Sequence, residues 1–225
     1  MACANYWTTP FQVGSHHLAR GFVDAGWTVG FVSDPISPLH LLGHARKELA
    51  SRFQLYRQGG VWDLEKKLWA YVPAALATPR NEPLLRSHAL ERGWAHLTWP
   101  SVGGVVRHHG FGDVDLLYCD GPKHLSWLSH VARARTVFRV ADNTSGFGRT
   151  TPAARAAERE LAAAADLVVY SAETLKEYVE GLKPRRMAHL PNGVNFSHFA
   201  RPDVPVPSEY ASIRRPIAVY AGYMD

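Results

Sequence analysis

Residues 136–199 contain the clearest secondary-structure signals of the chain and read TVFRVADNTSGFGRTTPAARAAERELAAAADLVVYSAETLKEYVEGLKPRRMAHLPNGVNFSHF. Its apolar runs at residues 136–140 and 167–170 are rich in β-branched and aromatic side chains, which favours strands. Between them, Thr151 and Pro152 form a helix start signal, because an N-cap is followed by proline at the first helical position. The order of strand, helix and strand predicts a β-α-β unit.

Strands and helices alternate on both sides of this unit. Ser171 caps a further predicted helix, and the turn Pro191-Asn192-Gly193 closes the strand after it. The alternation predicts an α/β fold, a Rossmann-like parallel sheet with helices on both faces. The other predicted strands are residues 1–6, 28–32, 67–72, 114–119 and 187–190. The other predicted helices are residues 15–25, 84–92 and 172–180, with two more that begin near residues 42 and 122.

The composition of the chain changes after residue 200. Residues 201–216 are rich in proline, serine and charge, which is typical of a linker. The apolar run that follows ends in a glycine and favours a strand. We therefore predict an N-terminal domain at residues 1–200, a linker at residues 201–216, and the first strand of a truncated second domain at residues 217–225.

The overall composition limits the class of protein. The longest apolar runs are far shorter than the roughly 18 residues that a membrane span requires. The first residues have neither the basic start nor the apolar segment of a secretory signal. The cysteines, Cys3 and Cys119, are too few for a disulfide framework. We expect a cytoplasmic protein.

Positive charge is concentrated at residues 46–92, which hold nine Arg or Lys against five Asp or Glu. A basic surface suits an anionic membrane leaflet, a nucleotide phosphate or another polyanion. Within it, Trp62 and Trp69 add rings suited to a headgroup interface, so residues 46–69 predict peripheral attachment to the inner membrane face. Ordinary packing of a solvated helix on the sheet is the alternative. No nucleic-acid-binding module is recognisable, and no nucleic acid is expected.

Several common catalytic and metal-binding motifs are absent from the sequence. There is no Walker loop, CxxC pair, HExxH or GxSxG. The pairs His16-His17 and His108-His109 lack partners at metal-ligand spacing. We expect neither a bound metal nor an organic cofactor.

Two loops carry candidate site residues. Asp142 lies two residues beyond the predicted strand at residues 136–140, where open α/β sheets bind ligands, and the adjacent Asn143 is small and polar. Position alone leaves a substrate-contacting carboxylate and a loop-capping one equally open. Ser15 and His16 stand at the start of a predicted helix, where an anion or a sugar hydroxyl can bind. Alternatively, Ser15 is only a cap and the histidines are surface residues.

The order of residues from Glu158 onward resembles GT-B glycosyltransferases of the large family 4 type. Glu158 is followed by Ala-Asp, an apolar strand and Ser171, and later by Asn-Gly-Val, with Asn195 where that family commonly has aspartate. The segment VFRVADN at residues 137–143 resembles VYRASDG of the xanthan-type, UDP-glucuronate-dependent glucuronosyltransferases, and AGYM at residues 221–224 resembles their nucleotide-contacting VGSM.

The resemblance implies the N-terminal half of a GT-B fold and an enzyme that transfers a hexosyl or glucuronosyl group. The donor would be a nucleotide sugar, UDP-linked in the similar enzymes, and the acceptor a glycan or lipid-linked glycan in polysaccharide biosynthesis. Asp142 is then the general base, Gly222, Tyr223 and Met224 contact the donor, and Ser15, His16 and Asn143 contact substrate. The broad resemblance suggests retention and the closer one inversion.

Two further expectations follow from this division of the fold. The chain alone should be inactive, because the nucleotide site would lie mostly in the second domain. The alternative to an enzyme is a non-catalytic carbohydrate-binding domain or a degenerate transferase.

Overall fold

A single mixed sheet organises the first of two structural units, Met1–Asn192 and Gly193–Asp225. The computed structural model describes residues 1–42, 46–146, 148, 150–194, 196, 200–201, 205, 207–210 and 212–218. Its strands are β1 (Ala2–Cys3), β2 (Val29–Ser33), β3 (Val61–Asp63), β4 (Leu68–Tyr71), β5 (Asp113–Cys119), β6 (Ala132–Val140), β7 (Leu167–Tyr170) and β8 (Met187–His189).

The strand order is β3-β4-β2-β1-β5-β6-β7-β8, and every neighbouring pair is parallel except β3 with β4. The α-helices are α1 (Gly14–Asp24), α2 (Arg46–Arg57), α3 (His88–Gly93), α4 (Val102–His108), α5 (Pro152–Ala164) and α6 (Lys176–Gly181). The predicted fold class, an α/β Rossmann-like sheet with helices, is confirmed.

The unit formed by β6, α5 and β7 follows the local sequence signals closely. The Thr151 side chain accepts a hydrogen bond of 3.0 Å from the Ala154 amide, and Pro152 is the first residue of α5. The buried side of α5 includes Ala157 and Leu161, which belong to the main hydrophobic core together with residues of β6 and β7. The small alanine side chains on this face allow α5 to approach the sheet closely. The loop after β6 therefore lies against α5.

Elsewhere the element boundaries differ from the sequence prediction. β1 has only two residues, because the chain leaves the sheet after Cys3. The helix expected from residue 122 is a 3-10 helix, Pro122–Ser129, and α3 starts at His88. The sequence analysis did not predict β3 or α4. Gly103 and Gly104 have low helix propensity, and α4 forms because Val102 and Val106 are buried in the core.

The second unit, described by itself, contains the 3-10 turn Ser208–Tyr210 and a hydrogen bond of 2.8 Å from the Ala200 amide to the Phe196 carbonyl. Most of the predicted strand at residues 217–225 lies outside the described residues. The predicted linker and second domain therefore stay predictions. Among the described residues, no helix combines the length and the apolar character that crossing a membrane requires.

Candidate active site

The carboxyl ends of the parallel strands form one polar edge of the sheet. Asp34 follows β2, Asp120 follows β5, Asp142 lies two residues beyond β6, Ser171 follows β7, and Asn192 lies three residues beyond β8. Because parallel strands end together, these residues lie along one line at the edge where α/β sheets bind ligands.

Asp142 is exposed on this edge while its backbone is anchored. The carbonyl of the preceding residue, Ala141, accepts a hydrogen bond of 2.8 Å from the Ser171 hydroxyl. Within the part of the chain that the structure describes, no side chain forms a hydrogen bond or ion pair with the Asp142 carboxylate. A carboxylate that is free and solvated can accept a proton from a bound hydroxyl.

The loop after Asp142 is tied to two helices through one buried acid. Glu158 of α5, which is 2% exposed, accepts hydrogen bonds from the Thr144 hydroxyl at 2.7 Å and from the Tyr178 hydroxyl of α6 at 2.6 Å. Burial and the bond to Glu158 raise the pKa of Tyr178 to about 12, so Tyr178 remains a donor. These bonds therefore fix the loop at Thr144, two residues after Asp142.

The Asn143 side chain stabilises the turn that follows Asp142. Its side-chain oxygen accepts hydrogen bonds from the Ser145 amide at 3.1 Å and from the Ser145 hydroxyl at 2.5 Å. Asn143 is exposed and its amide nitrogen remains available to a ligand. Asn143 thus lies beside Asp142, as expected from its position in the sequence.

A nearly buried ion pair joins β5 and β6 at the same edge. Nη1 of Arg139 lies 3.2 Å from Oδ1 of Asp120, and both side chains are 10% exposed. The other terminal nitrogen of Arg139 donates to the side-chain oxygen of Asn192 at 2.7 Å, and the Ser15 hydroxyl donates to Oδ2 of Asp120. A Cβ atom at Gly14 would lie 3.1 Å from Arg139, so a side chain there would press on the guanidinium.

The structure places Ser15 and His16 inside the first unit. Ser15 is 1% exposed and bound to Asp120, whereas His16 is fully buried beside Trp7 and Phe31. Nδ1 of His16 accepts from the Val13 amide at 3.2 Å, so Nε2 carries the proton and donates to the Tyr6 carbonyl at 3.0 Å. Burial lowers the pKa of His16, which keeps the ring neutral. Their direct contact with substrate stays a prediction.

His124 links the ends of β2 and β5. Its Nδ1 accepts from the Asp120 amide at 3.0 Å, and its Nε2 lies 3.3 Å from Asp34, whose other oxygen is 3.3 Å from the Lys123 ammonium. Burial raises the pKa of Asp34, but Lys123 and the hydrogen bond from His124 outweigh burial and hold that pKa well below its usual range. Asp34 is therefore an anion in the folded protein.

The sequence analysis did not single out Asp120, Asp34 or His124. The criterion that selected Asp142, a position just beyond a predicted strand, also applies to Asp34 and Asp120. Within the described ranges, no three acid, histidine or cysteine side chains are placed to hold a metal ion. The predicted donor-contacting residues Gly222, Tyr223 and Met224, and also Asn195, lie outside the described residues.

Comparison with protein families connects this edge to a known class of enzyme. The model of the N-terminal domain of glucuronosyltransferase GumK matches residues 1–171. The chain belongs to this family. The match includes the ends of β2, β5 and β6, and it confirms the resemblance inferred from the sequence around Asp142.

A comparison of folds gives a second likeness, at the level of the fold. A sucrose-phosphate synthase chain from Thermosynechococcus elongatus superposes with a TM-score of 0.52 and 11% sequence identity, over 89% of this chain and 92% of that chain. At this identity the likeness shows the fold alone. Comparison with individual curated proteins gives no significant match. The chain is the N-terminal part of a GT-B glycosyltransferase.

Proposed function

We propose that this chain is the acceptor-binding domain of a glycosyltransferase that moves a sugar from a nucleotide-sugar donor to a glycan or lipid-linked glycan, with Asp142 as the general base. Support comes from the family match together with the carboxylate of Asp142, which is exposed at the carboxyl edge of the sheet and unengaged by the other described side chains. To attack an anomeric carbon, an acceptor hydroxyl must lose its proton, and a positioned carboxylate can accept it.

The surroundings of Asp142 suit this role. A general base must keep its position while substrates exchange. The bond from Ser171 to Ala141 and the bond from Thr144 to Glu158 hold the chain on both sides of Asp142. Asn143 would orient the acceptor through its free amide nitrogen, and the first turn of α1, with Ser15 and His16, would shape the neighbouring wall.

The donor is proposed to be UDP-linked, with glucuronate as its sugar because of the family match. The diphosphate of such a donor needs positive charge or helix N-termini. At the edge of the sheet, Arg139 is already paired with Asp120, and Lys123 with Asp34. The donor site is therefore proposed to lie in a second domain that begins at about residue 217 and includes Gly222, Tyr223 and Met224. No metal or cofactor is assigned to the reaction.

We also propose that the protein works in the cytoplasm, attached to the inner membrane face near α2. Trp69 cannot take part in attachment, because it is fully buried against Tyr71 and His109. Phe53 of α2 is 47% exposed and packs beside Tyr56, whose hydroxyl donates to the carbonyl of Trp99, itself 78% exposed. Arg57, one turn after Phe53 on α2, is also exposed. Exposed aromatic rings together with a basic residue suit a headgroup interface.

Replacing Asp142 by Asn in a protein that carries the second domain tests the proposal. Turnover should fall by roughly 100-fold or more, because the base is lost, with the melting temperature unchanged. The matched control is Asp24→Asn, an exposed aspartate at the end of α1. Turnover of Asp142→Asn close to that of the control would give Asp142 a structural role. A failure of the unsubstituted protein to bind or hydrolyse any nucleotide sugar would favour a carbohydrate-binding domain or a degenerate transferase.

A further inference from the structure

A gap lies in the middle of the sheet at its amino edge, opposite Asp142. β1 supplies only Ala2 and Cys3, whereas its neighbours β2 and β5 extend farther in the amino direction. Ala2 is level with Val32 of β2 and with Cys119 of β5. In this register Met1 is level with Phe31 and Tyr118, so residues 29 and 30 of β2 and residues 113–117 of β5 have no strand between them, although both strands are central in the sheet order.

A cavity of about 650 Å³ occupies this gap. Val29 and Phe31 of β2 pack in a hydrophobic cluster with residues of α1, whereas Val32 packs in the cluster that contains Val106 of α4. The two helices thus cover opposite faces of the sheet at the gap. Phe111, which follows α4, lies so close to β2 that a Cβ atom at Gly30 would be 3.1 Å from its ring. Side chains from both faces of the sheet line the cavity, Phe22 of α1 on one face and Val106 of α4 on the other.

The hydrogen bonds of β1 fix the register that a longer strand would follow. The Val32 amide donates to the Met1 carbonyl at 2.9 Å, and the Asp120 amide donates to the Ala2 carbonyl at 3.1 Å. In a parallel ladder these bonds recur every second residue. In the same register, the Gly30 amide would donate to the carbonyl of a residue two positions before Met1. The Tyr118 amide would donate to the carbonyl of the residue immediately before Met1.

The amino group of Met1 lies in the gap and continues the line of β1. It donates to the Gly30 carbonyl at 2.6 Å, as a peptide N–H at that point of a parallel strand would. Burial lowers the pKa of this amino group, which means that the site disfavours its charge. A peptide bond to a preceding residue would remove the charge and keep the hydrogen bond to Gly30.

We propose that the gap is a strand-binding site, filled by an extended apolar segment of about five residues that is joined to the Met1 nitrogen and continues β1 between β2 and β5. A strand covered on both faces requires a continuous run of β-branched or other apolar residues. The outer end differs, because Asp113 and Asp115 are exposed there. A lysine as the first residue of the segment would suit that end.

Two extended forms of the chain test the proposal. One carries Lys-Val-Val-Ile-Val before Met1, and the matched control carries Lys-Val-Pro-Ile-Pro. Both remove the charge of the Met1 amine, but the prolines lack two strand N–H groups and do not fit a central strand. The first extension should raise the melting temperature by at least about 5 °C relative to the control. Exchange of the Gly30 and Tyr118 amides should also slow at least tenfold in the first form only.

Equal melting temperatures for the two extended forms, or equal exchange at Gly30 and Tyr118, would overturn the proposal. A gain shared by both forms would assign the effect to the Met1 charge alone. If the first form does not fold, the acetylated pentapeptide amide is added at millimolar concentration to the chain as it is. Protection of the same two amides is then the expected result, and its absence would overturn the proposal equally.

Discussion

The guanidinium of Arg139 lies 3.2 Å from the carboxylate of Asp120 and is bonded on its other side to Asn192. These contacts connect the ends of β5 and β6 with the loop after β8. The same carboxylate accepts a hydrogen bond from Ser15 in the first turn of α1. One buried ion pair therefore sets the relative positions of three loops at the edge where Asp142 lies.

The first prediction concerns this ion pair. Asp120→Asn leaves the Arg139 charge nearly buried without its counter-ion, and the free energy of unfolding should fall by about 3–5 kcal/mol. Urea unfolding of the chain measures the change. Asp115→Asn, an exposed substitution on the same strand, should change it by less than about 0.5 kcal/mol. Similar values for the two variants would mean that the pair contributes nothing to stability.

The second prediction concerns Glu91 of α3, which is 3% exposed and has one side-chain oxygen without a hydrogen-bond partner in the described structure. Burial raises its pKa to about 7, although Lys123 opposes the rise; Asp34 adds to it. The folded state thus holds the Glu91 proton more tightly than the unfolded state, where the pKa is near 4.5. The stability gained from this proton is complete below pH 4.5 and is lost as the pH rises through 7.

Glu91→Gln should consequently stabilise the protein at pH 8.5, by an amount on the order of 1–3 kcal/mol, and make little difference at about pH 4. Chemical unfolding at both pH values measures this difference. The control is Glu65→Gln, since Glu65 is exposed. If the Glu91→Gln variant gained stability equally at the two pH values, Glu91 would not be protonated in the folded state.

The third prediction concerns membrane attachment. Binding to anionic vesicles should weaken as salt is added, and the double substitution Phe53→Ser and Trp99→Ser should reduce it roughly tenfold, because both exposed rings are lost from the interface. Sedimentation with vesicles measures binding. Trp27→Ser is the matched control, since Trp27 is 40% exposed after α1. Equal partitioning to neutral and anionic vesicles would contradict the proposed attachment.

The parts of the fold that could be predicted are those coded by neighbouring residues. Thr151 and Pro152 determine the start of α5, and the apolar run at β7 is bounded by polar residues on both sides. β1 was predicted at residues 1–6 but ends at Cys3, because its length depends on pairing with β2 and β5, which are distant in sequence. Tertiary contacts outweigh local preference in such a strand.

The candidate site also has a part that the sequence predicts and a part that only the folded structure shows. Asp142 and Asn143 could be proposed because a strand end is visible in the sequence. Sequence alone did not show that Ser15 would be bonded to Asp120, since the two residues come together only when α1 docks at the end of β5. Nor did it show that both ring nitrogens of His16 would be occupied by backbone groups. Burial of a polar side chain depends on the assembled core and not on its neighbours in the chain.

The last prediction tests the proposed division of labour between two domains. In the GT-B arrangement proposed here, the donor nucleotide binds the second domain, and the first domain contributes the edge that carries Asp142. At that edge Arg139 and Lys123 are already paired with Asp120 and Asp34. Arg52 donates to the carbonyls of Asp34 and Pro35, so these three cations offer little charge to a diphosphate. Calorimetric titration of this 225-residue chain with UDP-sugars should therefore show no dissociation constant tighter than about 1 mM, a binding free energy near 4 kcal/mol. A protein that also carries the second domain should bind the same donors at least tenfold more tightly. Micromolar affinity of the chain alone would place the nucleotide site in the first domain and would require a different assignment of the donor and acceptor sides.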